Sequence, residues 1–180
     1  MRVVVYFGGL KQAKEMYYRG RKIKEAWYRG ERVFSGKPVE VMPDMSGAYD
    51  ARNWLRGKLT EYGEDYRTVQ ELPFEIDSSQ ATRMSRMFYG CSSLTTVPAM
   101  DTSQATRMDS MFYDCSSLTA VPDMNTHNVT TTASMFNGCS SLTDGNVRLI
   151  GKNQQVRTAG MIANSGLTRN PFYDSSGQPI

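Results

Sequence analysis

Apolar residues return along the second half of the chain at a fixed interval of 24 residues, from Cys91 to Cys115 to Cys139. Around each cysteine the same words recur: MFYGCSSLTTVPAM, MFYDCSSLTAVPDM and MFNGCSSLTDGNV. A period of this size marks units that bury their apolar face only by stacking on one another. In the second copy the apolar positions are Ala105, Met108, Met111, Phe112, Cys115, Leu118, Val121 and Met124. Their spacing from Met108 to Cys115 predicts a helical or 3₁₀ turn, and Leu118 to Val121, stopped by Pro122, predicts a short strand.

In-phase stacking predicts columns of like residues. Met87, Met111 and Met135 form one, Phe88, Phe112 and Phe136 another, and Leu94, Leu118 and Leu142 a third. Hydroxyl columns follow at Thr82, Thr106 and Thr130 and at Ser92, Ser116 and Ser140, where they can satisfy backbone groups in the bends. After Leu142 the pattern wears. Val156, Met161, Ile162, Ser165 and Leu167 echo it in a closing copy.

Upstream the pattern differs. Tyr17-Tyr18-Arg19-Gly20 recurs as Trp27-Tyr28-Arg29-Gly30, and β-prone residues punctuated by Arg-Gly predict a meander of short strands. Strands are expected near Arg2–Phe7, Ala13–Tyr18, Lys22–Tyr28 and Arg32–Phe34, with Gly20 and Gly30 in the turns. Pro38 and Pro43 mark a boundary. A helix is expected over about Gly47–Tyr62, with Ser46 as N-cap, Gly63 past its end, and Ala48, Ala51, Leu55, Leu59 and Tyr62 on one face. Such a helix could cover the open end of the repeats.

A strand and a short helix in each unit is the leucine-rich-repeat plan. The predicted fold is therefore α+β: an N-terminal antiparallel β meander, a helical cap and a short leucine-rich-repeat-like solenoid. The expected divisions are 1–36, a basic meander for docking; 37–76, linker and cap; 77–168, the solenoid with a degenerate last coil; and 169–180, a tail.

The net charge of +3 does not mark a nucleic-acid or membrane binder, but it is unevenly placed. Residues 1–37 hold ten Lys/Arg against three Asp/Glu, and the remainder holds 11 against 15. No run approaches the roughly 20 apolar residues of a membrane span. None has the apolar core of an export signal, so release from a cytoplasm is expected. One cysteine per unit argues against a disulfide framework, and equivalent side chains point in parallel, which is poor bridge geometry. The cysteines read as reduced core residues.

Residues 11–34, KQAKEMYYRGRKIKEAWYRGERVF, resemble the opening module of many tailed-phage structural proteins. The unit MFxxCxxLTxVP, led by DTSxxT from Asp77 to about Leu142, resembles the BspA-like leucine-rich repeat family. That second resemblance implies adhesion to host proteins, glycans or other cells, and it implies no catalysis.

The residues themselves offer little chemistry. His127 is the lone histidine and fills a slot held by Ser103 one unit earlier, as a solvent-facing substituent would. The cysteines lack zinc spacing. Asp77, Asp101 and Asn125 recur in phase as bend residues. No phosphate loop is present. No catalytic site, metal or cofactor is expected, and the chain is not expected to be an enzyme.

Positions that change between units while the columns hold should face solvent. Arg83, Arg86, Tyr89, Arg107, Asp109, Tyr113 and Asp123 are the candidate binding residues, Arg and Tyr being interface anchors. Tyr18, Arg19, Trp27, Tyr28 and Arg29 are candidates for docking. The plainer reading of both sets is a solvated surface that resists edge-to-edge association.

The expected function is a non-enzymatic phage virion component of tail, baseplate or fibre type. Its N-terminal module would meet other virion proteins, and its repeats would meet a host surface protein or glycan. It is expected in a homo-oligomer or large assembly, without nucleic acid as partner. The alternative is a bacterial surface adhesin or protein-interaction module.

Overall fold

The computed structural model describes residues 37–44 and 50–180 in full, and the backbone of four short strands before them. These are β1 (Met16–Tyr18), β2 (Arg21–Ile23), β3 (Ala26–Tyr28) and β4 (Glu31–Phe34). There follow β5 (Val39–Val41), α1 (Ala51–Glu61), β6 (Glu75–Asp77), β7 (Met124–Asn125), β8 (Leu149–Ile150) and β9 (Phe172–Tyr173). The expected strand at Arg2–Phe7, the turn glycines Gly20 and Gly30, and the N-cap Ser46 lie outside the described residues.

The fold predicted from the sequence is overturned. Among the described residues the protein is mostly small sheets with one short helix, not a meander, a helical cap and leucine-rich coils. The N-terminal strands divide between two sheets. β1 and β2 pair antiparallel, β2 then pairs antiparallel with β5, and β5 runs parallel to β6. Both edges of β2 are thereby occupied. The stretch expected as one strand, Lys22–Tyr28, splits into β2 and β3, and β3 pairs with β4 in a sheet of its own.

Helix α1 is capped by Asp50 and not by the expected Ser46: the Asp50 carboxylate accepts from the Arg52 N–H at 2.8 Å. Tyr62 ends it, and Gly63 follows in the left-handed region at φ +78, where a side chain would be strained. Its buried residues Ala51, Trp54, Leu55 and Leu59 share a core with Val69, Leu72 and Phe74. Trp54 meets Phe74 edge-on at 6.5 Å, and Tyr62 meets the same ring at 5.1 Å. The helix is thus integral to the segment leading into β6. Buried Glu40 on β5 ties the two together, accepting from the Tyr62 hydroxyl at 2.7 Å and pairing with Lys58 at 3.2 Å.

Of the expected helical or 3₁₀ segment, the repeat units contain turns closed three residues back but no continuous helix. Within Met84–Cys91 the backbone N–H groups divide between two sets of partners. Met84, Arg86, Phe88 and Gly90 donate to carbonyls of the next unit, on Arg107, Asp109, Met111 and Tyr113. Met87, Tyr89 and Cys91 donate back three residues, to Met84, Arg86 and Phe88. The next units repeat this scheme, so four of the segment's donors join units and three close turns. A continuous helix would consume them all internally. Left-handed residues interrupt helical progress in phase, at Arg86, Ser110 and Ser134 and again at Gly90, Asp114 and Gly138.

The expected strand at Leu118–Val121 is absent too. Pro98 and Pro122, which have no N–H, limit inter-unit pairing there. The ladder forms instead at β7, β8 and β9, which are parallel in that order. Ahead of β7, the buried Thr102 hydroxyl replaces a backbone partner: it accepts from the Asn125 N–H at 2.7 Å and lies 3.1 Å from the Asn125 carbonyl. The outer edge of β9 is covered by a hairpin in which Ile180 donates to Phe172 and Asp174 to Gln178.

The predicted columns are present. Phe88, Phe112 and Phe136 are fully buried, and successive rings lie 5.2 and 5.6 Å apart and within 5° of parallel. The methionine, cysteine and leucine columns are buried beside them. Thr106 and Thr130 donate to carbonyls one unit earlier, as do Ser116 and Ser140. Parallel bridges join Arg83 to Arg107, Arg107 to Thr131 and Thr131 to Arg157. The last step spans 26 residues, two more than the earlier ones, and accommodates the worn copy.

Candidate binding surface

The same backbone scheme that turns Met84, Met87, Phe88 and Cys91 inward turns the residues between them outward. Arg83, Arg107 and Arg157 are exposed at successive parallel bridges, with Thr131 between the last two. Neighbouring parallel strands lie about 4.8 Å apart, so Arg83 and Arg107 emerge as adjacent like charges. Arg107 is compensated within its own unit by Asp109, at 3.0 Å from Nη2 and 3.1 Å from Nε. At the position equivalent to Asp109, the preceding unit has Ser85, whose hydroxyl donates to the same Asp109 at 2.7 Å. Arg83 therefore lacks the local acid that its neighbour has. Exposed Arg86 stands beside it at φ +61, where the equivalent positions hold Ser110, Ser134 and Gly160.

Tyr89 and Tyr113 are half-buried and stack on each other, with centroids 4.8 Å apart and planes 3° from parallel. The guanidinium of Arg52, from α1, lies 4.6 Å from the Tyr89 centroid. The faces of Tyr89 are taken by Arg52 and Tyr113, leaving ring edges toward solvent. Asn137 continues the column, and Asn164 approaches it at 3.4 Å. Alongside, Arg56 lies 3.7 Å over the Tyr66 ring, and Arg67 donates through Nε to the Tyr66 hydroxyl at 2.7 Å. Cations over aromatic faces are held in place without an acid.

Arg52, Arg56, Arg67 and Arg157 were not among the sequence candidates. Position in the repeat could have flagged Arg157. Nothing in the sequence joins α1 to Tyr89. Asp123 stands apart from this strip, beside β7, where it pairs with Arg148 at 3.2 Å. Of the docking candidates, Tyr18, Trp27 and Tyr28 fall in β1 and β3, known by backbone alone, and Arg19 and Arg29 lie outside the described residues.

The cysteine column is chemically quiet. All three thiols are buried and unbridged. The Sγ atoms of Cys115 and Cys139 donate to the Phe88 and Phe112 carbonyls at 3.0 and 2.9 Å. Burial pushes the thiols of Cys91 and Cys139 up to about 12 and raises Cys115 well above the ordinary range. Thiolate nucleophiles need the opposite environment. His127 is exposed, lies against Gly151, and has Nδ1 3.1 Å from Asn125 Oδ1.

Asp77, Asp101 and Asn125 each accept from a backbone N–H two residues on, on Ser79, Ser103 and His127. The Ser103 backbone N–H holds the Asp101 carboxyl below its usual range. Among the described residues no cluster of three His, Cys, Asp or Glu could hold a metal, and no helix is long and apolar enough to cross a membrane. A groove of about 350 Å³ lies between Phe74 and Val97, but Lys37 at its rim is already engaged by Glu71 and the Leu72 carbonyl.

Neither a curated protein nor a solved structure matches the chain. A family described as "Mycoplasma protein of unknown function, DUF285" matches residues 44–170, which include α1, the repeat units and the arginine strip. The chain therefore belongs to the DUF285 family, one of the BspA-like repeat proteins.

Proposed function

We propose that the protein is a non-catalytic attachment protein, carried on a phage particle through its N-terminal segment and presenting its repeat strip to a host surface. The observation that carries this reading is the division of each unit. The apolar residues that hold from copy to copy are buried in columns, and the position that reads Arg83, Arg107 and Thr131 in successive copies lies outward on one strip. Such a division frees a surface to vary without disturbing the core. The particle-borne half of the reading is supported by residues 11–34 and their likeness to tailed-phage structural proteins.

Purified particles from the source genome should contain the chain by mass spectrometry. The purified full-length protein should compete with those particles for adsorption to host cells. Absence from particles would sink the virion reading and leave a cell-surface adhesin. Failure to bind any cell surface would sink both.

A further inference from the structure

We infer that the arginine strip is a binding site for an anionic polysaccharide, one bearing sulfate or phosphate groups along its length. This rests on the attachment reading and names the ligand class.

The first argument is charge placement. Residues 38–180 carry 11 Lys/Arg against 15 Asp/Glu, yet seven of those 11 are arginines of the strip and its flank on α1 and Tyr66. The second is the register. Parallel bridging puts arginines at one position of consecutive units, about 4.8 Å apart, an arrangement that costs stability unless anions lie between. The chain offsets this at Arg107 with Asp109 but leaves Arg83 without such an acid, and it places Arg86 next to it in a left-handed conformation that glycine would adopt more easily.

The acids beside the strip and its flank include Asp109, already held by Arg107 and Ser85, Asp114, one column over, Asp44, which accepts from Thr82 at 2.6 Å, and Asp65, which accepts from the Arg67 N–H at 2.8 Å. They leave the strip cationic. Guanidinium groups suit sulfate and phosphate because they donate in a planar fork.

The site favours a polysaccharide over nucleic acid for a geometric reason. Single-stranded nucleic acid needs free aromatic faces for its bases. Tyr89 is sandwiched between Arg52 and Tyr113, and Tyr66 is covered by Arg56. Ring edges, one face of Tyr113 and the guanidinium groups of Arg83, Arg86, Arg107 and Arg157 remain, which match hydroxyls and repeated anions.

The test uses the full-length protein with heparin as the sulfated probe, a teichoic acid as the phosphate-bearing probe, and single-stranded DNA, at physiological ionic strength. Arg83→Ser/Arg86→Ser should weaken binding to at least one polysaccharide by about tenfold or more. Arg169→Ser, outside the strip, should bind as wild type. Neither arginine side chain has a partner among the described residues, and removing Arg83 relieves like-charge repulsion, so thermal melting should be unchanged or raised. A lowered melt would be met with Arg83→Gln alone, expected to lose about threefold or more.

Preference for heparin or for the teichoic acid identifies the anion. Equal binding by the double variant and wild type overturns the site, because any remaining affinity then belongs to the basic N-terminal segment. Tighter binding to DNA overturns the ligand class. Host-cell binding that persists without polysaccharide affinity overturns this inference and leaves the attachment reading intact.

Discussion

Phe112 lies face to face with Phe88, ring centroids 5.2 Å apart and planes 5° from parallel, although 24 residues separate them in the chain. Here the inter-unit backbone bonds from Met84, Arg86, Phe88 and Gly90 impose the register, and the rings follow it. Phe136 covers the other side of Phe112 at 5.6 Å. Phe112→Ala should therefore cost about 3–5 kcal/mol in denaturant unfolding. A loss below about 1 kcal/mol would mean that the column contributes little to stability.

Thr102 predicts a second effect. Its buried hydroxyl serves both the N–H and the carbonyl of Asn125. Thr102→Val keeps the shape and strands those groups, and should destabilise by about 1–3 kcal/mol. Ser92→Ala removes only an exposed contact at 3.4 Å and should change stability by less than about 0.5 kcal/mol.

The left-handed positions should respond asymmetrically. Gly138 has φ +79, and a Cβ there would fall on the Asp114 side chain and 3.2 Å from its Cα. Gly138→Ala should cost more than about 2 kcal/mol, strain and clash acting together. Ser134→Gly, at φ 54, relieves a strained side chain while loosening the unfolded chain, so its net effect should stay within about 1 kcal/mol. Equal losses from the two would contradict the assignment of conformations.

The cysteines set an alkaline limit. In the unfolded chain they ionise near 9.0, but burial holds Cys91 and Cys139 protonated up to about 12. Between those values the folded state binds more protons than the unfolded state, so stability falls as pH rises. The slope is up to about 1.4 kcal/mol per pH unit for each thiol. Stability measured from pH 9.0 to about 12 should decline less steeply in Cys91→Ala/Cys139→Ala than in wild type. At about pH 8 a thiol reagent should label the native protein only as fast as it opens.

The columns were legible because stacking turns a period in sequence into contact in space. Met111, Phe112, Cys115 and Leu118 could be placed from spacing alone. The conformation of the same segment could not, because apolar residues three and four apart suit a helix and also suit alternating turns and inter-unit bonds. Gly90, Asp114 and Gly138 carried a usable hint, since their residue types tolerate positive φ. Arg86, Ser110 and Ser134 carried none. The helix was visible in the periodicity of Ala51, Leu55 and Leu59, but which of its side chains would meet the first repeat was not. Arg52 and Tyr89 are 37 positions apart, and only the folded chain brings guanidinium and ring together.

The hairpin over β9 bears on how copies of this chain can associate. Inward, the Pro171 and Tyr173 carbonyls accept from Leu149 and Gly151; outward, the Phe172 carbonyl and Asp174 N–H are consumed by Ile180 and Gln178. Among the described residues, a further strand could pair with the outer edge of β9 only if this hairpin opened.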